Sequence, residues 1–80
     1  MIELHLQKND LDGHDIQRLL EGLQFNKTLQ FLDIGYNRIG DFGVENISLY
    51  LKKIPSLLGL NIAGNSVTNN GAKLIFFIFC

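Results

Sequence analysis

One period governs this chain. Asn9, Asn37 and Asn65 stand 28 residues apart, and the same step relates nearly every apolar position. Leu4, Leu32 and Leu60 form one set, Leu6, Ile34 and Ile62 a second, and Leu11, Ile39 and Val67 a third. Leu19, Ile47 and Ile75 continue it, as do Leu23, Leu51 and Phe79, while Met1, Leu29 and Leu57 head the units. A fixed period of this size specifies stacked, near-identical structural units, each burying its apolar side against the next. The chain of 80 residues is thus one domain divided into units 1–28, 29–56 and an incomplete 57–80. That length lies near the lower limit at which a lone hydrophobic core suffices.

Each unit has two halves with different periods. The first half reads MIELHLQKN, then LQFLDIGYN, then LLGLNIAGN. Its Leu-x-Leu or Leu-x-Ile centre alternates with period two, the mark of a half-buried strand, here three to five residues long. The second half switches to helical spacing: Ile16, Leu19, Leu20 and Leu23 in the first unit, Val44, Ile47 and Leu51 in the second, Ala72, Ile75 and Phe79 in the third. Gln17, Arg18 and Glu21, then Glu45, Asn46 and Lys52, are expected on the opposite, polar faces. Asp12, Asp41 and Asn69 lie where helix caps belong. Pro55, and Asn26-Lys27 in the matching stretch, mark the return turns. Strand, turn, helix and turn in register make successive strands parallel neighbours with helices on the other side. The wider helical side then forces curvature, leaving the strand face concave.

The stretch Leu29-x-x-Leu32-x-Ile34-x-x-Asn37-x-Ile39, followed by Gly43 and a helical tail, resembles a leucine-rich repeat. The 28-residue step, with Gly43 and Gly71, is similar to the ribonuclease-inhibitor-like subclass. The likeness covers the whole chain and implies an α/β fold: a right-handed leucine-rich repeat solenoid, a short horseshoe with parallel strands on the concave face and helices on the convex one. It implies a protein-interaction scaffold of cytoplasmic, nuclear or ciliary and cytoskeletal setting, or else a regulator of a partner enzyme, either an inhibitor or a GTPase-activating scaffold. The family hosts many partners, so the fold does not name one. The first unit departs from the pattern where Asp15 replaces the glycine of Gly43 and Gly71.

Composition narrows the chemistry. A formal net charge of −1 gives no basic footprint for nucleic acid. The longest apolar run, residues 74–79, is too short to span a bilayer, so no membrane partner is expected. The single cysteine, Cys80, cannot build an internal disulfide framework, which favours a reducing compartment. Met1 falls on a core position, so no signal peptide is expected. The two sequons, at Asn26 and Asn46, then read as chance. The only histidines, His5 and His14, fall on different sides of the repeat, which is unsuited to a metal site or a catalytic dyad. No cofactor and no enzymatic activity are expected.

Two sets of positions remain. Asn9, Asn37 and Asn65 read as a structural ladder, because a buried amide can donate and accept at once where backbone leaves a sheet. The positions the core does not need are the candidate protein-binding face: Glu3, His5, Gln7, Phe31, Asp33, Tyr36, Arg38 and Asn61. The middle unit contributes Phe31, Asp33, Tyr36 and Arg38 together, and aromatics and arginine dominate the energetic centres of interfaces. At the other end Phe76, Phe77 and Ile78 make the third helical segment apolar on every face, as an end contact would require. The chain is accordingly expected to belong to a larger complex or a longer repeat array.

Overall fold

A computed structural model describes residues 2–68. Its elements run β1 (Ile2–His5), α1 (Gly13–Leu23), β2 (Leu29–Asp33), α2 (Gly40–Tyr50), a short 3-10 turn (Leu51–Lys53) and β3 (Gly59–Asn61). The three strands form one parallel sheet in the order β1-β2-β3. Register follows the sequence period: Glu3 pairs with Phe31 and Phe31 with Gly59, Leu4 with Leu32 and Leu32 with Leu60. Ladder bonds continue past the strand ends in the same step. The Leu6 N–H donates to the Asp33 carbonyl at 2.8 Å and the Ile34 N–H to the Asn61 carbonyl at 3.0 Å. The helices α1 and α2 pack against each other, and Tyr50 reaches the Glu21 carboxylate between them at 3.5 Å.

The core sits between the sheet and these helices. Leu32, Ile34, Val44 and Ile47 of the middle unit are fully buried, as are Ile16 and Leu20 from α1. Leu29, Ile39, Leu51 and Ile54 complete it. The helical spacing of Ile16 and Leu20, and of Val44 and Ile47, places one stripe of each helix inward. One expected polar position is corrected: Asn46 is buried, and its amide donates to the Phe42 carbonyl one turn earlier at 2.9 Å. An amide can enter this layer because a backbone acceptor lies within reach of its Nδ2.

The helix starts differ between units. Asp12 caps α1: its carboxylate accepts the Asp15 N–H at 2.9 Å, and the Asp15 carboxylate returns to the Asp12 N–H at 3.0 Å. This reciprocal box is what Asp15 supplies where the other units carry glycine. Asp41 is not the cap expected of it. The residue preceding α2 is Ile39, without a side-chain cap, and Asp41 instead accepts from the Thr68 N–H at 2.8 Å and from the Thr68 hydroxyl. It ties the second unit to the third. Gly13 and Gly43 bring the two helix starts together; a Cβ on Gly13 would meet the Phe42 ring at 2.7 Å. Asn69, Gly71, the third helical segment and Phe76, Phe77 and Ile78 lie outside the described residues.

Candidate protein-binding face

The outward side chains of β1 and β2 gather as the alternation requires. Glu3 and His5 point from β1, with His5 Nε2 3.0 Å from the Glu3 carboxylate and Nδ1 3.9 Å from that of Asp33. The His5 ring lies 5.7 Å from the Phe31 ring, centre to centre, at a tilt of 45°. Phe31 is half-buried because Gly59 lies beside it: a Cβ on Gly59 would approach the Phe31 ring at 2.8 Å. Glu3, Gln30, Phe31, Leu58 and Gly59 line a shallow open depression of about 260 Å³. Leu58, 76% exposed, was not singled out by the repeat, although Gln30, 28 residues before it, lines the same depression.

Asp33 and Asn61 have a second task. The Asp33 Oδ1 accepts the Gly35 N–H and the Asn61 Oδ1 accepts the Ala63 N–H, each at 3.0 Å. Both build the bend that ends the strand, as Asp and Asn side chains do when they bond backbone two residues on. In the first unit His5 holds this position and faces Glu3 and Asp33 instead.

The eight candidate residues do not form one cluster. Tyr36 and Arg38 lie in the bend beyond β2. Tyr36 has a left-handed backbone, φ 55°, and its ring covers Gly64, where a Cβ would come within 2.5 Å of it. Lys8, Tyr36 and Gly64 all adopt this conformation, one per unit, at φ 60°, 55° and 70°. Arg38 is tied to Asp10 of the first unit through both Nε and Nη2. The middle-unit group expected as one patch thus separates into Phe31 and Asp33 on the strand and Tyr36 and Arg38 at the bend, because the left-handed turn redirects the chain. Gln7 is exposed, and its carbonyl accepts from Asn9 at 3.1 Å.

The asparagines stand at the same bends. Asn37 Oδ1 accepts the N–H groups of Asn9 and Leu11 at 2.8 and 3.0 Å, and its Nδ2 donates to the carbonyls of Leu6, Ile34 and Gly35. Asn65 repeats this one unit on, accepting from Asn37 and Ile39 and donating to Ile34, Ile62 and Ala63. Both are buried, whereas Asn9 is exposed. Among the described residues no three His, Cys, Asp or Glu side chains gather as a metal site would need, and no helix is long and apolar enough to cross a membrane.

The family model described as Leucine Rich repeat matches residues 25–48 and 53–76, two stretches displaced by the same 28 residues and together more than half of the chain. No curated protein matches the chain significantly.

Proposed function

Since this chain belongs to the leucine-rich repeat family, we propose that it is a non-enzymatic protein-interaction module that binds its partner through the strand face. Repeats of this family generally mediate protein–protein interaction. The reading is carried by one observation: Glu3, His5 and Phe31 stand outward from paired strands, with an aromatic ring beside an open depression. A rigid aromatic flanked by charged groups is the kind of anchor on which interfaces concentrate their energy. On this reading the repeats belong to the ribonuclease-inhibitor-like subclass and curve as a right-handed solenoid with the strand face concave, and the protein works in the cytoplasm within a larger assembly. The 28-residue register of the strands and the helices on one side support that shape.

The test compares proteins retained from native extract by the parent, by Phe31→Ala and by Leu49→Ser on the helical side, where Leu49 is 66% exposed. A partner held by the parent and by Leu49→Ser but lost with Phe31→Ala supports the strand face. A partner that depends on Leu49 and ignores Phe31 places binding on the helices and refutes the proposal.

A further inference from the structure

One row of side chains crosses the sheet with a different chemistry on each strand. In register order it runs Glu3, Phe31, Gly59: a carboxylate, an aromatic ring, then a bare backbone. Phe31 belongs to the central strand, so both of its neighbours in the row are present. Its ring leans over Gly59, where a Cβ would meet it at 2.8 and 3.3 Å. The depression bordered by Leu58 and Gln30 lies at this place. The next outward row is His5, Asp33, Asn61. Asp33 Oδ1 is committed to the Gly35 N–H, while Oδ2 looks toward His5 at 3.9 Å. The three strands carry the carboxylates of Glu3 and Asp33 and neither lysine nor arginine. Arg38, in the bend beyond, is already paired with Asp10. The strand face thus combines an aromatic and apolar seat with negative charge.

Resting on the strand-face reading above, we propose that the site takes an extended peptide segment of a partner protein, one that carries an apolar side chain and, about three residues away, an arginine or lysine. The apolar side chain seats over Gly59, against the Phe31 ring and Leu58. The cation lies across the ring and meets Glu3, within the field of Asp33. Glu3 and Gly59 stand two strand spacings apart, about 10 Å, and an extended chain covers that span in about three residues. A cation over an aromatic face is attracted by the ring as well as by the carboxylate. An acidic segment would meet like charge with no strand cation to offset it. A wholly apolar one would take Glu3 out of water without a partner. Glycine at position 59 suits this role, because a side chain there would displace the ring and fill the seat.

Selection of short random peptides displayed on phage against the immobilised full chain tests this, with affinities of the enriched peptides measured by fluorescence anisotropy. Expected are sequences that pair an apolar residue with a nearby arginine or lysine. Asn61 makes in the third unit the bend bond that Asp33 makes in the second, each at 3.0 Å, so Asp33→Asn removes charge and keeps the bend. Glu3→Gln combined with Asp33→Asn is expected to weaken the selected peptides about tenfold, as the loss of two exposed ion pairs would, with circular dichroism unchanged. Glu3→Gln alone, at an exposed position, acts in the same direction. Phe31→Ala weakens them at least about tenfold. Peptides that need Phe31 yet bind the double variant as well as the parent overturn the basic partner and keep the strand face. Peptides indifferent to Phe31 and to both carboxylates overturn both readings. Enrichment of acidic or uncharged sequences, or of none, overturns this proposal alone.

Discussion

Asn65 Oδ1 accepts the Asn37 N–H at 3.0 Å, and the two side chains both donate to the Ile34 carbonyl at 2.9 Å. One carbonyl thereby serves two successive asparagines, and each asparagine clamps its own bend and the bend before it. Asn37→Ala leaves the N–H groups of Asn9 and Leu11 and the Leu6 carbonyl without the partner that Asn37 gives them, while the Ile34 carbonyl keeps Asn65. Each stranded buried group costs about 1–3 kcal/mol, so the variant is expected to lose about 2 kcal/mol or more of stability. Asn9→Ala, at the exposed end of the ladder, is expected within about 0.5 kcal/mol of the parent in dilute solution. Urea melts of the two side by side check the contrast.

Leu32 and Ile34 are completely buried between the sheet and the helices. Leu32→Ala and Ile34→Ala are each expected to cost about 2–5 kcal/mol, the transfer term plus the cavity left behind. In a chain this small either change unfolds most of the population. Circular dichroism melts indistinguishable from the parent would show that the core lies elsewhere.

Two glycines respond in opposite directions. Gly64 has φ 70° and lies under the Tyr36 ring, so Gly64→Ala suffers both backbone strain and a clash; a loss of about 1–2 kcal/mol is expected from the left-handed backbone alone. Gly22 lies in α1 with nothing within 4 Å of an added Cβ. Gly22→Ala is expected to gain about 0.5–1 kcal/mol through helix propensity. Thermal melts that move the same way for both variants would contradict the backbone geometry.

Acid weakens two links. Asp12 is held below the ordinary carboxylate range first by the Asp15 backbone N–H, and Asp41 first by the Thr68 hydroxyl. Each group binds its proton less tightly folded than unfolded. Its contribution is therefore complete above the unfolded pKa and disappears as pH falls through the folded one. Asp12→Asn keeps a good helix cap but cannot titrate. The urea midpoint of Asp12→Asn and of Asp41→Asn should accordingly fall less steeply than the parent's on acidification below the ordinary aspartate range. Equal slopes would mean that neither carboxylate is linked to folding.

The sequence by itself determined the unit length, the strand and helix halves, and the core. Each of these depends on side-chain periodicity: Leu4, Leu32 and Leu60 share a sheet register because they share a repeat position. The role of Asn37 and Asn65 was legible for the same reason, since a polar residue at a buried repeat position must satisfy backbone. Tertiary structure alone decided what happens where neighbouring units meet in detail. Asp41 looks like a cap, yet Thr68 of the next unit claims its carboxylate. Asn46 looks solvent-facing, yet it is buried with a carbonyl in reach. Phe31 and Tyr36 looked like one patch, but the left-handed backbone at Tyr36 turns its ring onto Gly64. Periodicity fixes which residues face the same way along one unit. A hydrogen bond or a ring laid over a glycine depends on distances between units, and those exist only once the units are stacked.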